Sequence, residues 1–269
     1  MSFYSTSGYW DERYRWANDD EILEDTFDWY VPYAIRTSDG VMFAEGLGLR
    51  EEILSLVPKQ RSALKVLILG CGTSSIGEMM YDDGFRDVLC VDFSEQCIAR
   101  MTRRQGLLAQ TISPQATSST EGAPPHPPSA AHAARGPIVR DGLRYQHMDG
   151  VALLEYIEAG SIDLIIDKAM LDASFCDNDV QKRYDRIAKL LENVYDALRP
   201  SGTYLHITSN KETGGSRGVL FRNPVLPWSN VSVVKLDLGT IAPPPHPSSA
   251  MNEALEFFSK PYWMFCIVK

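Results

Sequence analysis

A short apolar run that leads directly into two glycines constrains this chain more than any other feature. Residues 65–69 read KVLIL, and Gly70 and Gly72 follow at once, ahead of a helix-like segment. A continuous apolar run of this length is typical of a strand covered on both faces of a parallel sheet. Because neither glycine carries a Cβ, the turn lets a ligand approach the backbone closely. The pattern predicts an α/β sheet with a ligand at this strand end, although a tight turn without a ligand is the alternative.

Apolar runs and amphipathic stretches alternate along the rest of the chain. Strand character recurs in DVLCVD (87–92), LRYQHMD (143–149), SIDLIIDKAM (161–170) and TYLHITS (203–209), with helical stretches at 94–105 and 180–198. This order predicts a Rossmann-like, doubly wound parallel sheet. Two further strand-like runs, VSVVKLDL (231–238) and YWMFCIVK (262–269), have no standard crossover helix between them. They are predicted to pair in the antiparallel direction.

The domain organisation predicted from the sequence is one domain over residues 1–269, with helices from 8–16 and 45–57 ahead of the sheet. Two segments break the pattern. Residues 111–137 are rich in Ala, Pro and Ser and almost free of large apolar side chains, and residues 240–250 carry four prolines. The first segment cannot bury enough apolar surface to offset the entropy lost on ordering, and the prolines of the second predict an extended loop. Both are predicted to be surface insertions.

Charge and cysteine usage exclude several classes of function. The formal net charge is −9, and nucleic-acid binding depends on Lys and Arg, so free nucleic acid is not expected as a partner. The five cysteines show no Cys-x-x-Cys spacing, which predicts neither a disulfide framework nor a metal site. No apolar run reaches the length of a signal peptide or membrane span. We expect a cytoplasmic protein with no membrane partner.

The residues around the glycine turn distinguish between nucleotide sites. A P-loop ends in Gly-Lys-Ser/Thr, whereas Thr73 follows Gly72, so ATP and GTP hydrolysis are excluded. A dinucleotide fingerprint would place its third glycine earlier than Gly77. Asp92 ends the next strand twenty residues after Gly72, where its carboxylate can accept both hydroxyls of a ribose. These features indicate a nucleoside, and leave open a nicotinamide dinucleotide or S-adenosylmethionine (SAM).

Acidic residues at the ends of two later strands favour SAM. Asp149 follows the third predicted strand, Asp167 ends the fourth, and Asp172 lies just beyond it. A SAM site uses the third strand for the adenine and the fourth for the reacting edge of the cofactor. The antiparallel pair expected at the end of the chain is also foreign to the usual dinucleotide sheet.

The motifs YWDERY, LILGCGTSS, VDFS, MDG and IDKAMLDA, in this order over about residues 9–209, resemble the class I SAM-dependent methyltransferases. They are most similar to the branch that methylates lysines of translation elongation factor one-alpha. The resemblance implies a seven-stranded sheet whose last strand is antiparallel. It also implies SAM as cofactor, S-adenosyl-L-homocysteine as product, and a protein lysine as methyl acceptor, with elongation factor one-alpha as the candidate partner.

The resemblance assigns roles to individual residues. Gly70 and Gly72 are expected at the methionine moiety, Asp92 at the ribose, Asp149 on the adenine side, and Arg13 at the cofactor carboxylate. The predicted cofactor-binding set is Trp10, Arg13, Gly70, Gly72, Asp92, Phe93, Asp149, Gly150 and Asp167. Two acids at the reacting edge are predicted to be catalytic and to steer a lysine ammonium, namely Asp167 and Asp172. Trp29 or Tyr30 is expected to enclose the lysine stem.

Three other functions fit parts of the sequence. A small-molecule methyltransferase shares the cofactor motifs, a nicotinamide-dependent oxidoreductase shares the ribose-binding acid, and a non-catalytic scaffold shares the fold. Two histidines in apolar strands, His147 and His206, are interpreted as core residues. Lys168 is expected to pair with a carboxylate.

Overall fold

The computed structural model describes residues 3–37, 40–42, 49–110, 137–209, 221, 226–236 and 262–269. The helices are α1 (Ser7–Arg13), α2 (Asp19–Glu24), α3 (Leu49–Leu56), α4 (Ile76–Asp82), α5 (Glu95–Ala109), α6 (Met170–Ser174) and α7 (Val180–Ala197). The strands are β1 (Ile35–Thr37), β2 (Gly40–Met42), β3 (Lys65–Leu69), β4 (Asp87–Asp92), β5 (Leu143–His147), β6 (Ile162–Lys168), β7 (Leu198–Thr208), β8 (Asn230–Leu236) and β9 (Tyr262–Val268). Apart from Pro137, both predicted insertions lie outside the described residues.

Seven strands form one mixed sheet in the order β5-β4-β3-β6-β7-β9-β8. The five strands from β5 to β7 in this order are parallel to one another. Strand β9 lies between β7 and β8 and is antiparallel to both. The Rossmann-like, doubly wound sheet and the antiparallel last strand are therefore confirmed. Strands β1 and β2 form a separate two-stranded antiparallel sheet, which was not expected from the sequence.

The central strand β3 contributes to two cores. Val66 and Ile68 pack in one apolar cluster and Leu67 and Leu69 in the other, because successive side chains of a strand point to opposite faces. Four of the five β3 residues are buried. The continuous apolar run thus reflects a strand covered on both faces.

Strand β5 lies at the edge of the sheet, and this position corrects one interpretation from the sequence. His147 at its end is exposed rather than part of the core. Its Nε2 lies 3.1 Å from the Phe93 carbonyl oxygen. Of the five β5 residues only Leu143 is buried, because a strand at the sheet edge is covered less completely than a central strand.

Within the described residues, no helix combines the length and the apolar character that crossing a bilayer requires.

A buried ion pair joins the helices that flank β3 and β4. Arg104 of α5 donates from Nε to Glu78 Oε1 of α4 at 2.7 Å, and both side chains are almost completely buried. Arg104 also donates to the Ile22 carbonyl of α2 at 2.9 Å. One guanidinium therefore holds three helices together.

We predict that Glu78→Gln lowers the free energy of unfolding by about 3 kcal/mol, because it leaves the buried guanidinium without its counter-charge. Urea denaturation followed by circular dichroism measures the change. The matched control is Asp19→Asn, which removes the partner of exposed Arg103 and should leave stability unchanged. Equal effects of the two variants would contradict the assignment.

Candidate functional site

A cavity of about 350 Å³ lies at the carboxyl ends of β3, β4 and β6. Its floor comes from the residues that end these strands, and a second side comes from the turn after β5. Strands β4 and β6 lie on opposite sides of β3, so the strand order reverses direction at β3. Open α/β sheets bind their ligands at such a switch point. The floor includes Leu69, Gly70, Val91, Asp92, Phe93, Met148, Asp149, Gly150, Lys168 and Ala169.

The glycine turn after β3 has the backbone conformation that its sequence indicated. Gly70 and Gly72 have φ angles of +61° and +51°, in the left-handed region that favours glycine. A Cβ on Gly70 would lie 2.6 Å from the Met170 side chain, and one on Gly72 would lie 2.9 Å from the Tyr14 hydroxyl. Both positions exclude a side chain. Gly70 lines the cavity, whereas Gly72 is not among its lining residues.

Asp92 connects the glycine turn to the start of α5. Its Oδ2 accepts from the Gly72 amide at 2.9 Å, and its Oδ1 accepts from the Ser94 amide at 3.0 Å. The residue is only 5% exposed, yet it lines the cavity. The carboxylate is therefore held in one orientation beside the space where a sugar would bind.

Burial sets the electrostatics of this carboxylate. It raises the pKa of Asp92 to about 7, and the adjacent Cys71 adds to the increase, whereas the Ser94 and Gly72 amides oppose it. Burial, with the nearby Asp92, also raises the pKa of Tyr14 well above its ordinary value. Hydroxyl groups that donate to Asp92 would stabilise its ionised form. The site is thus suited to a neutral, hydroxyl-rich partner.

Asp149 begins the 3-10 turn Gly150–Glu155 and caps it by accepting from the Val151 amide at 3.1 Å. Its two oxygens also accept from Arg186 Nη2 of α7, at 2.7 and 2.9 Å. Both residues line the cavity. The sequence pattern did not reveal Arg186, because it lies 37 residues from Asp149 on a helix that reads as amphipathic throughout.

Aromatic side chains from the N-terminal segment cover the cavity. Trp10 lines it and donates from Nε1 to the Tyr4 carbonyl at 2.9 Å. Its ring lies 5.6 Å from that of Tyr14 and 6.0 Å from that of Trp29, measured between centroids. Tyr4, Tyr14, Trp29 and Tyr30 line the same space. Sequence reasoning missed Tyr4 and Tyr14, because aromatic residues of short helices equally suit a core.

The end of β6 anchors this aromatic segment. Lys168 Nζ forms an ion pair with Asp28 and donates to the Val31 carbonyl at 3.1 Å. The predicted pairing of Lys168 with a carboxylate is confirmed. Its ammonium therefore fixes residues 28–31 over the cavity.

Asp172 lies on α6 and is one of the residues that line the cavity. Its Oδ2 accepts from the Tyr30 hydroxyl at 2.8 Å and from Thr208 Oγ1 at 2.7 Å. Its Oδ1 lies 3.9 Å from Nε2 of the fully buried His206. Groups from the N-terminal segment and β7 therefore hold this acid in place. The burial predicted for His206 is confirmed.

Asp167 has a different environment, which corrects its assignment to the cofactor and catalytic sets. It is completely buried and is not among the cavity-lining residues. Its Oδ1 accepts from the Met170 amide at 2.8 Å, and its Oδ2 accepts from the Tyr204 hydroxyl at 2.9 Å and lies 3.0 Å from His206 Nδ1. Asp167 therefore orients the start of α6 from outside the cavity lining.

Arg13 is also not brought to the cavity in this structure. The residue is exposed, and its guanidinium carbon lies 5.3 Å from the centre of the Phe27 ring. Trp10, three residues earlier, is buried at the cavity. The two residues are three positions apart on α1, yet only Trp10 lines the cavity. Of the predicted set, the structure brings together Trp10, Gly70, Asp92, Phe93, Asp149, Gly150 and Asp172.

No family model matches the chain. The human eEF1A lysine and N-terminal methyltransferase is 28% identical over 144 residues, which is 54% of this chain and 16% of that protein. The human mitochondrial citrate synthase-lysine N-methyltransferase is 29% identical over 187 residues, 68% of this chain and 62% of that protein. The bovine EEF1A lysine methyltransferase 4 is 25% identical over 211 residues, with coverage of 77% and 62%. The chain spans about a fifth of the length of the eEF1A lysine and N-terminal methyltransferases of cattle, zebrafish and fruit fly.

Among solved structures, a SAM-dependent methyltransferase from Archaeoglobus fulgidus has a TM-score of 0.47 at 12% identity, covering 82% of this chain and 92% of that one. The strand order identifies the fold. The sequence relatives and the strand order support the predicted resemblance to class I SAM-dependent methyltransferases, and to the elongation factor lysine methyltransferase branch within them.

We predict that Asp92→Asn weakens binding of S-adenosylhomocysteine roughly 10- to 100-fold, since the ribose hydroxyls lose a charged acceptor. Isothermal titration calorimetry measures the affinity. The matched control is Asp87→Asn at the opposite end of β4, where the side chain pairs with exposed Arg144. The control should bind like the wild type, and an unchanged affinity for Asp92→Asn would contradict the ribose assignment.

Proposed function

We propose that this chain is a SAM-dependent methyltransferase that modifies a lysine side chain of a protein substrate. One observation carries the proposal. Asp92 at the end of β4, Asp149 just after β5 and Asp172 on α6 line a single cavity beside a turn that excludes side chains. A nucleoside-binding acid and a second, separate acid would then share one cavity.

The cavity residues fit the cofactor. Its volume lies within the range of small-molecule sites. Gly70 would lie at the methionine moiety, Asp92 would accept the ribose hydroxyls, and Phe93, Asp149 and Gly150 would contact the adenine. Trp10 and Tyr14 would close the site from above. When bound, SAM supplies a methyl group for in-line displacement, so the main task of the chain is alignment of the acceptor.

A lysine acceptor requires one further property, because its amine has an ordinary pKa of about 10.4 and must lose a proton before it attacks. The Asp172 carboxylate attracts the ammonium into the cavity. The rings of Trp29 and Tyr30 would remove water around the lysine stem, which lowers the pKa of the amine. The ammonium would then release its proton to solvent water, and the neutral amine would attack the methyl carbon. Tyr30 and Thr208 keep Asp172 in place through hydrogen bonds to Oδ2. Asp172 is therefore the catalytic residue of this proposal, without Asp167.

The names of the relatives support the acceptor class. Two relatives are named for eEF1A lysine and one for citrate synthase lysine, so lysine is the acceptor that the names share. We propose elongation factor one-alpha as the first partner to test, and a cytoplasmic location follows from that partner.

Incubation of the purified chain with radiolabelled SAM and elongation factor one-alpha tests the substrate directly. The expected result is a labelled protein band. Mass spectrometry should then locate an added mass of roughly 14 Da per methyl group on a lysine side chain. A parallel incubation with cell lysate in which label enters only small molecules, with no labelled protein band, would favour a small-molecule acceptor instead.

We predict that Asp172→Asn lowers turnover at least about tenfold, the order expected when a charged hydrogen-bonding partner is lost. Its affinity for S-adenosylhomocysteine should stay within about twofold of wild type, because the ribose and adenine contacts are intact. The matched control is Asp177→Asn, a nearby acid that accepts from the Asp179 amide and does not line the cavity. Wild-type turnover of Asp172→Asn would contradict the proposed role.

A further inference from the structure

The thiol groups of Cys71 and Cys97 lie close to the carboxylate of Asp92. The ligand atoms of Cys71, Asp92 and Cys97 all lie within 4.8 Å of one another. Cys71 belongs to the glycine turn, Asp92 ends β4, and Cys97 lies in the first turn of α5. All three residues are buried, at 5%, 5% and 0% exposure. The proposed methyl transfer makes no use of either thiol.

We propose that Cys71, Asp92 and Cys97 form a binding site for one thiophilic divalent cation of the Zn²⁺ class. Two cysteine sulfurs and a carboxylate oxygen are ligands that Zn²⁺ accepts, whereas Mg²⁺ and Ca²⁺ take oxygen ligands. Ligand atoms around one tetrahedral zinc ion are separated by roughly 3.4–3.8 Å. Each pair of ligand atoms therefore has to approach by at most about 1.0–1.4 Å. Binding displaces a proton from each thiol, so two thiolates and a carboxylate face the ion.

The surrounding hydrogen bonds hold the three ligands in one arrangement. The Gly72 and Ser94 amides fix the two oxygens of Asp92. Ser94 Oγ accepts from the Cys97 amide at 3.1 Å and donates to Asp11 Oδ1 at 2.7 Å. Such outer contacts orient metal ligands and contribute to affinity.

Access to the site is through the cavity. Asp92 lines the cavity, whereas neither cysteine is among the lining residues. An ion would therefore enter beside Asp92, and Cys71 and Cys97 would supply the two sulfur ligands.

The shared carboxylate links this site to the cofactor site, and this part of the inference rests on the proposed function. An ion on Asp92 removes the acceptor that the ribose hydroxyls need. The cation and the cofactor should therefore weaken the binding of each other by the same factor. The site would make the enzyme sensitive to free Zn²⁺.

Cobalt substitution tests the site on the reduced, cofactor-free protein. Titration with Co²⁺ should produce a sulfur-to-cobalt charge-transfer absorption band that saturates at one equivalent, and Zn²⁺ should abolish it. Cys97→Ser and Cys71→Ser should lose the band. Asp92→Asn should weaken Co²⁺ binding by more than the roughly 10- to 100-fold that loss of an outer contact costs.

The matched control is Cys266→Ser, which changes a buried cysteine of β9 far along the sheet and should keep the band. Absence of the band in the wild type, or its survival in Cys97→Ser, would overturn the proposal. Circular dichroism establishes that each variant is folded.

Calorimetry with S-adenosylhomocysteine tests the coupling. One equivalent of bound Zn²⁺ should weaken the affinity at least about tenfold in the wild type and leave Cys97→Ser unchanged. Unchanged affinity in the zinc-loaded wild type would overturn the shared carboxylate. If the metal-free protein does not bind S-adenosylhomocysteine at all, the cofactor assignment fails, and the cobalt spectrum alone decides the metal site.

Discussion

Two hydrogen bonds to one carboxylate connect the central strands of the sheet to the site. The Gly72 amide and the Ser94 amide donate to opposite oxygens of Asp92, so the turn after β3 and the start of α5 share one acceptor. The Cys71 amide adds a bond of 3.0 Å to the Val91 carbonyl. The left-handed φ of Gly72 is needed to aim its amide at the acid. The position of the proposed ribose site thus depends on the backbone of a single turn.

The two acids of the IDKAMLDA motif show how burial separates residues that look equivalent in sequence. Asp167 is enclosed, and its oxygens serve the α6 amides, Tyr204 and His206. Asp172 is one turn later, at the cavity, where hydroxyls from Tyr30 and Thr208 hold it. His206 lies between them, because the sheet register pairs it with Asp167. The buried acid Asp167 therefore holds the start of α6, the helix that carries Asp172 to the cavity.

The sequence was informative where one local pattern had one structural meaning. The apolar run of β3, its glycines and the spacing to Asp92 predicted the sheet, the turn and the nucleoside site together. Residues whose role depends on distant parts of the chain were not predictable. Arg186 reaches Asp149 only because α7 packs beside the turn after β5, and the cysteine cluster forms only because β4 returns beside β3. Arg13 and Asp167 occupy motif positions that tertiary packing directed away from the cavity.

The proposed cofactor site depends on Asp92 binding the sugar of SAM at the glycine turn. A crystal structure of the protein with S-adenosylhomocysteine tests this role most directly. We predict that both ribose hydroxyls lie within hydrogen-bonding distance of the Asp92 carboxylate, with the adenine beside Phe93 and Asp149. A nucleoside bound elsewhere, or a ribose turned away from Asp92, would contradict it.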